Sequence, residues 1–259
     1  MQRIGLGAIV LTMLAANAHA ASCSSTGAKF ESWKQEFAAE AKANGVGGRG
    51  IKALMGAKYS TGTIRADRNQ HSFKLSLDQF MARRGAAAIV AQGKKRKAAN
   101  AALFARIEKR YGVPAGPLIA IWGMETAFGA VTGNQNTISA VATLAYDCRR
   151  GDYFTEQLYA ALKLIDKGVM SSSTRGAMHG EVGQTQFLPK NILLYGADGD
   201  GGGINLNGKA DALTSTAKFL SGEGWPSGGP YHAGSFANWN AASVYQRSLA
   251  IIASKIDGE

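Results

Sequence analysis

Residues 111–129 read YGVPAGPLIAIWGMETAFG, and the fold turns on how this stretch is read. Pro114 and Pro117 suit a first helical turn, where backbone N–H groups have no intrahelical partner to lose. Leu118, Ile121, Trp122 and Glu125 follow at i, i+3, i+4 and i+7, which predicts a helix with all of them on one face. Such a stripe faces a core. A carboxylate on it loses hydration, which favours the neutral form and raises the pKa. A carboxyl group that keeps its proton near neutral pH suits a general acid. The same spacing also fits an inert Glu, hydrogen-bonded at the margin of an apolar face.

Working outward toward the N-terminus, 96–111 reads as a long helix with Ala99, Ala102, Leu103, Ile107 and Tyr111 turned inward. Segments 73–84 and 86–93 lead into it. Before them, 59–72 is polar and reads as a surface loop, 51–55 as a short helix, and 45–50 as a glycine-rich break. Phe30, Trp33 and Phe37 give an N-terminal helix one aromatic face. On the other side, 138–146, 152–168 and 211–220 read as helices, and 238–256 as a closing helix containing Tyr245. Between them lie loops at 170–175, 180–189 (GEVGQTQFLP), 198–203 (DGDGGG) and 226–234. Alternating strand patterns are confined to short fragments and no internal repeat is found, so a mainly α protein is predicted.

The chain has 259 residues, 46% apolar and 18% charged, which suits a packed core and opposes a disordered chain. Its net charge of +11 favours an anionic partner: nucleic acid, a membrane surface or an acidic polymer such as the cell wall. No nucleic-acid-reading motif accompanies the charge. The one basic run, Lys94, Lys95, Arg96 and Lys97, reads as a solvated helix face. Residues 1–20 read as a cleaved export signal: Arg3, an apolar core at 4–16 too short to span a bilayer, and Ala18-His19-Ala20 as the cleavage site. A periplasmic location is expected, with no transmembrane segment elsewhere. In an oxidising compartment Cys23 and Cys148 invite a disulfide. A lipid on Cys23 and two separate thiols are the rival readings. Two cysteines and four scattered histidines give no zinc spacing.

Five phrases occur in order: YGVP…GMETAFG at 111–129, TLAYDCRRGDYF at 143–154, GQTQFLP at 183–189, DALTSTAKFLSGEGW at 211–225 and NWNAASVY at 238–245. Together they resemble the family of lytic murein transglycosylases typified by membrane-bound lytic murein transglycosylase B. The likeness runs from about Phe73 to the end and is weaker over 21–110, an N-terminal helical part of one domain, 21–259. It implies a lysozyme-like helical domain with a groove for glycan strands. The implied reaction cleaves the β-1,4 bond between N-acetylmuramic acid and N-acetylglucosamine, without water, and leaves a 1,6-anhydromuramic acid end.

On this resemblance Glu125 matches the single catalytic acid. Gln186 matches a groove residue, Tyr153 an aromatic beside the cleavage site, and Asn240 with Tyr245 the closing pattern in which the Asn positions substrate. Trp239 matches a frequent aromatic and is a candidate to stack on a sugar ring. Without the resemblance, Gln186 fits a loop-satisfying amide, Tyr153 a core contact with Phe154, and Asn240 the N-cap of the last helix. Arg149 and Arg150 fit contacts to peptide carboxylates or plain solvation.

The chain departs from the family phrase SxAGAMG, reading AMHGEVG. Ala177 stands at the Ser position, and Glu181 replaces a small residue. Glu181 fits a second carboxylate that admits hydrolysis, a subsite contact, or a structural acid paired with an Arg. Asp198 and Asp200 sit at positions 1 and 3 of a calcium-type loop, but Gly202 and Lys209 occupy positions 5 and 12, so no metal is expected. No cofactor is expected either. Peptidoglycan strands are the expected partner of a monomer, with envelope machinery as a further one. The rival functions are a muramidase that adds water and a catalytically silent murein-binding protein, with a nucleic-acid binder more distant.

Overall fold

The computed structural model describes residues 22–69, 75–226 and 231–258, so the expected export segment lies outside the described residues. Helices dominate. The N-terminal part holds α1 (Phe30–Ala43), α2 (Gly48–Gly56), α3 (Thr61–Arg68), α4 (Leu77–Arg83), α5 (Ala86–Ala99) and α6 (Ala101–Tyr111). Then come α7 (Ala115–Thr126), α8 (Thr137–Tyr146), α9 (Gly151–Asp166), α10 (Pro189–Tyr195), α11 (Lys209–Gly222) and α12 (Ser243–Asp257). Two short strands, β1 (Gln135–Asn136) and β2 (Arg175–Gly176), pair antiparallel with Gln135 opposite Gly176.

The predicted acid-bearing helix is α7. Leu118, Ile119, Ala120 and Ile121 are all fully buried, so α7 is apolar all round rather than along one stripe. A helix of that kind belongs inside a core. It packs against α12, α5, α11 and α6. Gly123 permits the approach of α5: a Cβ there would lie 2.5 Å from the Ile89 side chain. Gly112 ends α6 in the left-handed region (φ 70°), and Pro114 then starts α7.

Around this centre, α8 packs on α9, and α9 on α2 and α10. The aromatic face of α1 forms as predicted. Trp33 stacks on Phe30 and Phe37 at 5.5 and 5.0 Å and closes on Tyr146 of α8 at 5.4 Å. Cys23 and Cys148 are joined, with Cα atoms 5.0 Å apart and a sequence separation of 125. The bond ties the segment before α1 to the turn between α8 and α9.

Several boundaries differ from the sequence expectation. The long helix expected over 96–111 is broken at Asn100, whose φ of −125° is not helical. Ala99 and Ala102 are consequently exposed, and the inward stripe is Leu103, Phe104 and Ile107. Part of the expected loop at 59–72 is helix α3, capped by the Ser60 hydroxyl accepting from Thr63 N–H. Its buried residues are Thr63 and Asp67, which an apolar-periodicity reading does not register. Within 45–50, α2 already begins at Gly48, and α10 begins at Pro189, the last residue of the expected 180–189 loop. The last helix starts at Ser243, not 238.

Candidate active site

Glu125 sits in the last turn of α7, the one half-buried side chain among buried neighbours. Its Oε1 accepts two hydrogen bonds: from Trp239 Nε1 at 3.0 Å and from Tyr245 Oη at 2.5 Å. Burial raises the pKa of Glu125. The donors Tyr245 and Trp239 and the charge of Arg84 pull it down without cancelling the rise, and Glu181 adds to it. Tyr245, on the first turn of α12, is 1% exposed. Burial, then the neighbouring Glu125, push its hydroxyl well above the usual tyrosine range, so it remains a donor. Tyr245, the last residue of the closing pattern, bonds the carboxyl directly and is not among the residues that line the cleft. Trp239 precedes α12, and its ring meets Phe187 and Phe219 edge-on at 5.4 and 5.3 Å.

Beyond the acid the backbone turns sharply. Ala127 (φ 49°), Phe128 (φ 65°) and Gly129 (φ 86°) are consecutive left-handed residues. For the two non-glycines this costs about 1–2 kcal/mol each. The Thr126 hydroxyl holds the turn, accepting from Gly129 N–H at 2.8 Å and donating to the Gln184 carbonyl at 2.6 Å. Gln184 Oε1 also accepts from Trp122 Nε1 at 2.8 Å, and its Nε2 donates to Asn207 O at 2.6 Å. Gln184 thus latches the 180–189 loop to α7. Sequence reasoning missed it, although it lies in the same phrase as Gln186.

That latch brings the loop to the acid. Six expected residues, Glu125, Tyr153, Glu181, Gln186, Trp239 and Asn240, line one cleft of about 290 Å³. Asn191 and Asn238 line it too and were not expected. Gln186 is left-handed (φ 56°), and its Nε2 donates to Gly183 O at 2.9 Å and Thr132 O at 3.2 Å. Tyr153, 51% exposed, packs edge-on against Phe154 at 5.2 Å and faces the cleft with the rest of its ring. Asn240 is not a helix N-cap: its Oδ1 accepts from Ala242 N–H at 2.9 Å, an Asx turn before α12.

Glu181 pairs with a His, not an Arg. Its Oε2 accepts from the His179 backbone N–H at 3.0 Å, and its Oε1 lies 3.2 Å from His179 Nδ1. Burial works to raise its pKa, but these His179 contacts outweigh that and hold it below the usual carboxylate range. Arg149 and Arg150 point elsewhere. Both bond Asp67, whose side chain is 1% exposed, and Arg68 joins them at 2.7 Å.

Two other features stand apart from the cleft. A larger cavity of about 720 Å³, with Arg49, Lys52 and Lys58 at its edge, contains none of the expected site residues. Among the described residues, Asp198, Asp200 and Asp211 are close enough to share a cation. Asp198 already accepts from the amides of Asp200, Gly201 and Gly203, and Asp211 from those of Gly199 and Asn205.

Comparison with known proteins bears on this geometry. A family model described as a transglycosylase SLT domain matches residues 29–250. Membrane-bound lytic murein transglycosylase B of Escherichia coli (strain K12) is 35% identical over 121 residues, 46% of this chain. The alignment spans only about a third, 34%, of that relative's own length. Among solved structures, SltB3 from Pseudomonas aeruginosa in complex with NAG-anhNAM-pentapeptide is similar with a TM-score of 0.82 and 27% identity. The match covers 90% of this chain and 80% of SltB3. The Escherichia coli lytic transglycosylase Slt35 in complex with bulgecin A has a TM-score of 0.77 over 95% of this chain and 98% of its own. At 18% identity it shows the fold alone, which is mainly α, as the sequence pattern predicted, and lysozyme-like, as the resemblance implied.

Proposed function

The chain belongs to the transglycosylase SLT domain family, and from that premise we propose that it is an exported lytic transglycosylase acting on peptidoglycan in the periplasm. The single observation that carries this reading is Glu125: a half-buried carboxyl on the wall of a polar cleft, gripped on one oxygen by Trp239 and Tyr245. Oε2 is then the oxygen left for a ligand.

Glycosidases commonly use two carboxylates, an acid and a base or nucleophile. Here one residue serves twice. Protonated Glu125 gives its proton to the glycosidic oxygen as the bond to C1 of muramic acid breaks. The resulting carboxylate then takes the proton of the 6-hydroxyl as O6 bonds to C1, which closes the 1,6-anhydro ring and restores the acid. The nucleophile is part of the substrate, so its effective concentration is already high. Tyr245 and Trp239 stabilise the carboxylate between the two steps. Gln186, Tyr153 and Asn240 hold the strand across the cleft, and the net charge of +11 draws the chain to an anionic polymer.

Glu181 gives a hydrolytic second reading its only footing, since it lies in the same cleft. Its bonds from His179 hold its pKa below the usual carboxylate range, which makes it a weak base for water. The test is Glu125→Gln on purified sacculi. The variant is expected to bind them and to release soluble fragments about 10²–10⁴-fold more slowly. Unchanged release would remove Glu125 from the reaction.

A further inference from the structure

The chain is strongly basic, yet the cleft at Glu125 is lined by two carboxylates and by no Lys, Arg or His among the described residues. Two arginines near it are engaged outside it, Arg84 over the Tyr245 ring and Arg150 tied to Asp67, and the one imidazole at its edge, His179, is taken up by Glu181. On one wall Glu181 is held in place by His179 through both oxygens, each of which keeps a further lone pair. Beside it, Gln186 spends its amide hydrogens on the carbonyls of Gly183 and Thr132, so what it offers a ligand is its carbonyl oxygen. This wall therefore presents acceptors and a negative charge.

An N-acetyl group matches such a wall poorly. It has one N–H to give, and its carbonyl oxygen is repelled by a carboxylate. A free ammonium has three N–H donors and the opposite charge. We propose that this wall is a subsite for a 2-amino sugar with its amine unmasked, that is, a de-N-acetylated glucosamine in the glycan strand, recognised by Glu181 with the Gln186 oxygen beside it. The proposal rests on the reading of the cleft as a peptidoglycan site. It makes Glu181, which stands where the family phrase has a small residue, the determinant of specificity.

The test uses the mature chain carrying Glu125→Gln, so that strands are bound but not cut. Its affinity is measured by co-sedimentation with purified sacculi before and after enzymatic de-N-acetylation of their glucosamine. A charge-assisted pair of this kind predicts about tenfold tighter binding to the de-N-acetylated form. Re-acetylation with acetic anhydride should abolish the gain, and so should adding Glu181→Gln. Bulk electrostatics runs the other way, because new ammonium groups repel a strongly basic chain. Equal binding to the two forms, tighter binding to the untreated one, or a preference that survives Glu181→Gln would overturn the proposal. The Glu125→Gln arm decides alone if the double variant does not fold. Release of fragments from untreated sacculi by the unaltered chain tests the parent reading separately: its loss removes the function, whereas loss of the preference removes only the subsite.

Discussion

Tyr245 Oη lies 2.5 Å from Glu125 Oε1, joining two helices across 120 residues of sequence. The two residues act on each other's ionisation in opposite senses. The hydroxyl, buried and beside a carboxyl group, holds on to its proton. By donating to Glu125 it favours the carboxylate, offsetting part of the rise that burial imposes. The acid is thereby kept titratable.

Tyr245→Phe removes that donor, so the Glu125 pKa should rise further. The alkaline limb of the pH–rate profile reports loss of the protonated acid, and it should move to higher pH. The rate at the optimum should fall about tenfold or more, because the intermediate carboxylate loses a charge-assisted hydrogen bond. An unshifted limb would show that the contact does not tune the acid.

How far the sequence foretold this site varies by residue. Glu125 was legible as a carboxyl on a buried helix because its apolar neighbours repeat at helical spacing, and as a candidate acid only through the resemblance. Trp239, Gln186, Tyr153 and Asn240 were legible as residues near the acid only through the resemblance, since nothing local marks a loop residue as belonging to a cleft. Their detailed bonding was not legible. The Gln184 latch, the buried position of Tyr245 and the Asx turn at Asn240 depend on contacts between segments far apart in the chain. Helix α3 went unread because its buried face is polar, with Asp67 held by arginines from α3 and from the turn before α9.

That cluster carries a stability prediction. Burial works to raise the Asp67 pKa, but the bonds and charges of Arg149 and Arg150 outweigh it and hold it below the usual range. The stability it contributes is therefore complete above the unfolded carboxylate pKa and is lost as pH falls through the depressed folded value. Asp67→Asn should cost about 3 kcal/mol near neutral pH, discounted for partners that are one third to nearly one half exposed, and should flatten the acid limb of the stability curve. Chemical denaturation at several pH values checks it. An equal loss at every pH would assign the effect to packing.

Reduction of the Cys23–Cys148 bond should lower the melting temperature of the mature chain. The chain-entropy relation for a closed loop of this length gives about 4–5 kcal/mol. Thermal scans with and without reductant, paired with Cys148→Ser, measure it. Two freely titrating thiols in the non-reduced protein would contradict the bond.

The account's central claim is that one acid serves twice while the substrate closes on itself, and the ends of the released glycan test it most directly. Mass analysis of fragments freed from purified peptidoglycan should find muramic acid termini that are one water lighter than hydrolytic products and cannot be reduced by borohydride. Fragments that all end in ordinary reducing muramic acid would contradict the claim and move the chain to the muramidases.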